Sequence, residues 1–340
     1  LSLSDTSDGR VTTITTASQT LWRVLESYGV DPAPLFAKAG LDPARWHEPG
    51  SRFEDERLDR AWLLAVEATG DPCIGLRVAH FFSPASMQAL GFAWLTSENL
   101  LEALSRTVRY FRAISDTLDL ELAVSGDTCR LSVVRIHRER RSQSQAMDAF
   151  WAALISLCRV STSEAFTPVE LHLTRPEPPC QADFFALFRS PIHFAAERDV
   201  MTLRRGDIER TLPTANRVLA RANERAVADY VAQLDEARFA DQVKLRIADK
   251  LPAGGVEADD LARAFNMSVR TLQRRLAECG TNYSALLDEA RRELAMRFIG
   301  EEGMAVKEAT YVLGFSEPAN FARAFRRWTG LSPTEFREAR

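Results

Sequence analysis

The stretches LARAFNMSVRTLQRRL, Leu261–Leu276, and ATYVLGFSEPANFARAF, Ala309–Phe325, carry one pattern written twice. Each reads as a short helix, a turn, and a longer helix that mixes basic and apolar residues. In the first copy Leu261, Ala262 and Phe265 form an apolar face, Asn266 and Met267 fill the turn, and Ser268 can cap the helix that carries Leu272 and Leu276 inward. Arg270, Thr271, Gln273 and Arg274 are left facing outward. In the second copy Ala309, Val312 and Leu313 precede a Gly314-Phe315 turn, Ser316 is the expected cap, and Phe321 and Phe325 point inward. Its outward set is Asn320, Arg323, Arg326 and Arg327. Pro318 falls in a first helical turn, where a missing N–H costs little. A helix-turn-helix whose second helix offers Arg beside Gln or Asn suits a DNA major groove, since Arg can bond guanine O6 and N7 while Gln or Asn reads adenine.

The segment GFSEPANFARAFRRWTGLSPTEFR, residues 314 to 337, resembles the signature of the AraC/XylS class of bacterial transcription regulators, and the likeness covers residues 241 to 340. Upstream, RTLQRRLAECGTNYSALLDEARRELA, residues 270 to 295, resembles the subgroup with an arabinose-operon-regulator-like N-terminal ligand domain, which includes ornithine-utilisation and mycobacterial virulence regulators. The resemblance implies two helix-turn-helix units, a small-molecule effector, RNA polymerase as a partner, a homodimer as a candidate assembly, and action as an activator. Base readers are then expected at Arg270, Gln273, Arg274, Asn320 and Arg323. Thr271, Arg326 and Arg327 are expected on phosphates, contacts that position without specifying. Pro318 and Ala319 stand where relatives often carry polar readers, so the second unit is expected to read fewer bases.

A chain of 340 residues, 46% of it apolar, is long enough for two cores. Its net charge of −4 argues at first against a nucleic-acid partner. Even residues 241 to 340 carry 16 Lys and Arg against 15 Asp and Glu, so placement rather than total decides. Arg270, Arg274 and Arg275 fall on one second helix and Arg323, Arg326 and Arg327 on the other, whereas Asp259, Asp260 and Glu308 fall on the first helices. The five cysteines show no CxxC spacing and read as ordinary thiols. With no apolar run of spanning length and no export signal, the expectation is a cytoplasmic protein without a membrane partner.

Taken in order, residues 1–17 are rich in Ser, Thr and Asp and read as a flexible tail. Residues 18–212 read as an α+β ligand-sensing domain. Within it, period-two residues Leu118, Leu120 and Leu122, a Ser125-Gly126-Asp127 turn and a return over 130–137 predict a hairpin. Residues 213–240 read as a helical linker, with a separate helix around Val243 to Leu251 opening an all-α DNA-binding domain over 241–340. Tyr283 to Ile299 is a helix between the two units, and Ser332-Pro333-Thr334-Glu335 is a capping box.

No GxSxG, HExxH, Walker or GxGxxG motif occurs, so no catalytic residue, cofactor or metal is expected, and the chain is read as a non-enzyme. His47, His80, His137, His172 and His193 are dispersed and read as structural or surface residues. For the effector pocket, Met87, Leu90, Trp94, Arg135, His137, Phe150 and Trp151 are the candidates, apolar walls with two groups that could meet a carboxylate. Two other readings compete with DNA binding. One is a protein-interaction or dimerisation module built on the same helices; the other is a Cys-dependent alkyl-transfer DNA-repair protein, which needs an activated thiol.

Overall fold

A computed structural model describes residues 11–48, 50–136, 143–253 and 257–338. Contacts divide the chain into two compact units, Arg10–Val231 and Ala232–Arg340.

The first unit is mixed α/β. Its strands are β1 (Thr12–Ile14), β2 (Arg52–Glu54), β3 (Leu118–Ser125), β4 (Thr128–Ile136), β5 (Glu170–His172), β6 (Ile192–His193) and β7 (Val200–Arg204). β1 and β2 pair antiparallel, and the rest form a sheet in the order β3-β4-β7-β5-β6, in which only β5 and β6 run parallel. The expected hairpin is present, with Gly126 in the left-handed region at φ 55°. Helices α1 (Ala17–Ser27), α2 (Pro32–Ala39), α3 (Asp55–Thr69), α4 (Val78–Phe81), α5 (Ala89–Leu95), α6 (Leu100–Tyr110), α7 (Gln143–Ser161), α8 (Gln181–Phe188) and α9 (Arg205–Ile208) surround it. Two apolar clusters hold the unit together, one around Trp94, Trp151, Leu131 and Met201, the other around Val24, Phe36, Phe53 and Trp62.

Residues 11–17 correct the expected tail. Low apolar content misled there, because the Thr side chains are buried with partners: Thr13 Oγ1 bonds Ser115 Oγ at 2.8 Å, and Ser115 Oγ bonds Thr117 Oγ1 at 2.7 Å. A buried hydroxyl is tolerated when it is hydrogen-bonded, and β-branched Thr favours a strand. The cysteines are a second correction. Cys73 and Cys180, 107 residues apart, are joined by a disulfide, whereas five free thiols were expected.

The linker is the third correction. A single helix, α10 (Arg217–Lys250), runs where two were expected, and the unit boundary at Val231/Ala232 falls inside it. Its early part belongs to the first unit: Val227 joins that core, and Glu224 accepts from the buried Arg106 of α6 at 2.9 Å, while Ser97 and Glu102 take the other guanidinium hydrogens.

The second unit is all helical: the later part of α10, then α11 (Ala258–Ala264), α12 (Val269–Glu278), α13 (Tyr283–Gly300), α14 (Val306–Val312), α15 (Pro318–Thr329) and α16 (Pro333–Glu338). Phe239, Val243, Ile247, Leu272, Leu276, Leu294, Ile299, Leu313, Phe321 and Phe325 make one core. The capping box opening α16 is reciprocal, with Ser332 N–H donating to Glu335 at 2.7 Å and Glu335 N–H to Ser332 Oγ at 3.3 Å.

Candidate nucleic-acid interface and effector cavity

The two repeats fold alike down to individual backbone bonds. In the first, the Met267 N–H reaches back to the Ala262 carbonyl at 2.9 Å; in the second, the Phe315 N–H reaches the Thr310 carbonyl at 3.0 Å. The residue before each donor is left-handed, Asn266 at φ 52° and Gly314 at φ 71°. Asn is the non-glycine residue best able to hold that conformation, so the same helix stop is written with two residues.

α12 starts on Ser268, whose Oγ accepts from the Thr271 N–H at 3.2 Å and also bonds the Thr271 hydroxyl at 2.9 Å. Leu272 and Leu276 are fully buried. Arg270, Gln273 and Arg274, at i, i+3 and i+4, are exposed on one face. The side chains of Arg270 and Gln273 make no hydrogen bond or ion pair among the described residues, and Arg274 has only an exposed pair with Glu278 at 3.5 Å. Arg275 has another task, since its guanidinium lies over the Phe239 ring at 3.8 Å.

α15 differs. Its N-cap is Glu317 rather than the expected Ser316, without a side-chain capping bond, and Ser316 Oγ instead lies 3.5 Å from Asn320 Nδ2. Arg323 donates to Asn320 Oδ1 at 2.6 Å, Arg326 to Glu335 at 3.4 Å, and Arg327 to Asp288 of α13 at 2.7 Å. Trp328 Nε1 donates to the other Asp288 oxygen at 2.9 Å. Pro318 and Ala319 are exposed, as expected.

Arg291 of α13 escaped sequence reading. It donates to the Leu313 and Gly314 carbonyls at 2.9 and 3.0 Å and lies over the Phe315 ring at 4.6 Å, so it clamps the second turn. Partial burial lowers its pKa. No local signal marked it, because α13 carries Asp288, Glu289, Arg292, Glu293 and Arg297 as well.

The first unit contains a cavity of ≈ 210 Å³. Leu21, Leu58, Trp62, Phe82, Phe111 and Leu154 supply apolar wall, and the hydroxyls of Thr13, Ser115 and Thr117 stand in a bonded row on one side. Among the described residues no charged side chain lines it. Met87 and Phe150 line it. Leu90, Trp94 and Trp151 do not: all three are buried core, and Trp94 donates to Ser161 Oγ at 2.9 Å. The side chain of Arg135, on β4, and the whole of His137 lie outside the described residues. The missed lining comes from β1, α1 and α3, ordinary apolar and hydroxyl residues that only the fold brings together.

The thiols do not resemble activated nucleophiles. Burial pushes Cys129 up to about 11 and Cys158 up to about 12, and burial also raises Cys279.

Two helix-turn-helix units with exposed faces on their second helices, and a separate unit that contains a cavity, define a DNA-binding regulator with a ligand-sensing part. Comparison with known proteins agrees. Residues 29–212 match the family described as the arabinose-binding domain of AraC transcription regulator, N-terminal, and residues 261–339 match a helix-turn-helix domain. The chain belongs to the AraC family of transcription regulators. It is 26% identical over 322 residues, 95% of each chain, to the ornithine utilization regulator of Pseudomonas aeruginosa. Over 87 residues, 26% of each chain, it is 37% identical to the transcriptional regulator VirS of Mycobacterium tuberculosis. A crystal structure of the regulator CdpR from Pseudomonas aeruginosa aligns with 94% of this chain and 98% of that one, at 23% identity and a TM-score of 0.44.

Proposed function

We propose that the α12 face reads bases, with Arg270, Gln273 and Arg274 as the readers, and that Asn320 and Arg323 add a weaker second element from α15. Thr271, Arg326 and Arg327 take phosphates. The observation that carries this is the exposed i, i+3, i+4 face of α12, on which Arg270 and Gln273 are uncommitted. α13 has 18 residues, about 27 Å of helix, the scale needed to serve two elements near one helical turn of DNA, about 34 Å. Residues 10–231 sense and residues 232–340 bind DNA, with α10 running through the boundary. The chain acts by binding, not by turnover, as a cytoplasmic activator that engages RNA polymerase and works as a homodimer. No described helix is long and apolar enough to cross a membrane.

The effector is small, uncharged and largely apolar, with a group that hydrogen-bonds the Thr13-Ser115-Thr117 hydroxyls. A carboxylate would meet no cation among the described lining residues, and a pentose would face mostly hydrocarbon.

The test is selection of random duplex DNA by the full-length chain at near-physiological salt, beside Arg270→Ala, Arg274→Ala. A motif of two elements about a turn apart, lost in the variant, supports the reading; an unchanged motif overturns it. For the effector, thermal shift with short ketones, alcohols and arabinose is compared with Ala153→Leu, which narrows the cavity. Stabilisation by arabinose alone would overturn the apolar assignment.

A further inference from the structure

Three side chains that look unrelated in sequence meet on the outer face of the larger sheet. β5 and β6 run parallel with His172 opposite His193, and Glu170 stands two residues before His172, so strand alternation puts all three on one face. Leu171 between them is fully buried, which fixes that alternation. Glu170 Oε2 lies 3.5 Å from His172 Nε2 and 3.7 Å from His193 Nε2, and all three ligand atoms lie within 4.8 Å of one another. The imidazole centroids are 4.5 Å apart. The other carboxylate oxygen is occupied, because Thr202 of β7 donates to Glu170 Oε1 at 3.4 Å, which orients Oε2 toward the two rings.

From this juxtaposition we propose that Glu170, His172 and His193 form a binding site for a divalent transition metal of the zinc class. A tetrahedral ion with N and O bonds of about 2.0–2.2 Å sets its ligand atoms about 3.3–3.6 Å apart, close to the two separations measured, whereas octahedral neighbours stand about 3 Å apart. Two imidazoles and one carboxylate favour zinc-like ions over Mg²⁺ or Ca²⁺, which prefer all-oxygen sets. The side chains are 36% to 52% exposed, so an ion reaches them from solvent and the fourth position stays open to water. Its effect is to staple the two-residue edge strand β6 to β5, adding a second input to the sensor unit that is separate from the cavity.

The test uses the full chain, free of any affinity tag, stripped with chelator and kept without reductant so that Cys73 and Cys180 stay paired. Zinc is titrated in competition with a chromophoric chelator. One equivalent is expected to bind, at least tenfold more weakly in Glu170→Gln and not at all in His172→Ala, His193→Ala, with His80→Ala unchanged. Cobalt in place of zinc should give tetrahedral ligand-field bands without a thiolate charge-transfer band. Should the double variant fold poorly by circular dichroism, the unaltered chain still decides: zinc must protect His172 and His193, and not His80, from carbethoxylation. Absence of one-equivalent binding, equal binding by the double variant, or no such protection overturns the proposal.

Discussion

The two helix-turn-helix units share a backbone and differ in what their second helices do with their charges. On α12, Arg270 and Gln273 are uncommitted and Arg274 has one exposed partner. On α15, every outward Arg is held by the protein, Arg323 by Asn320, Arg326 by Glu335 and Arg327 by Asp288. A free guanidinium can turn to a base edge at little cost, whereas a held one must first give up its partner. Duplication of a fold therefore does not imply duplication of a role: under the proposed function the first helix-turn-helix reads, while the outward arginines of the second are braced by the protein.

The bracing makes the strongest prediction. Arg291→Ala removes two charged hydrogen bonds and a ring contact from the second turn, with no counterpart among the described residues at the first turn. It is expected to cost about 2–4 kcal/mol of second-unit stability, measured by chemical denaturation. A loss below about 1 kcal/mol would break the contrast. Next, Arg270→Ala or Arg274→Ala should each cost about 1–3 kcal/mol at one base pair, while Arg323→Ala changes discrimination less, as read from affinities across single-base operator variants. Equal effects on both helices would erase the difference in role.

The turns give a smaller effect. Gly314→Ala puts a Cβ at φ 71° and 3.2 Å from Arg291, and about 1–2 kcal/mol should be lost, whereas Asn266→Gly should stay within about 1 kcal/mol of the unaltered chain. Arg327→Ala breaks an exposed pair worth about 0–1 kcal/mol. If Arg327 leaves Asp288 for a phosphate in the complex, the variant also lowers the salt slope of DNA binding by about one; an unchanged slope would leave Arg327 as a brace. The smallest effect is on pH. The Ser332 hydroxyl and N–H, with Arg326, hold the Glu335 carboxyl below its usual range, so its contribution is full above that range and is lost as pH falls through the depressed value. Acid titration followed by circular dichroism should show a flatter acid limb for Glu335→Gln.

The sequence made the second unit readable because its information is local. Helical spacing placed Leu272, Leu276, Phe321 and Phe325 inward, and the capping box at Ser332 needs only four residues. The bracing by Arg291 and Asp288 was not readable, since it joins residues 22 to 40 positions apart whose types fit a solvated face equally well. In the first unit the β3–β4 hairpin was legible from alternation, but the cavity is not a local object. Its wall gathers residues from Thr13 to Leu157, and aromatics such as Trp94 and Trp151 drew attention although they fill core. Thr13 shows the same limit in reverse, because a hydroxyl-rich segment looks unfit for burial until its partners on a distant loop are known.

The Cys73–Cys180 bond divides the cavity wall into two kinds of chain. Everything from Val78 to Leu157 lies inside a covalent ring closed by that bond, while Thr13 to Trp62 lie outside it and meet the ring through packing and hydrogen bonds alone. Reduction of that bond would open the ring and leave the Thr13–Ser115 hydrogen bond between the two kinds of wall in place, so one tie in this unit answers to oxidation and the others do not.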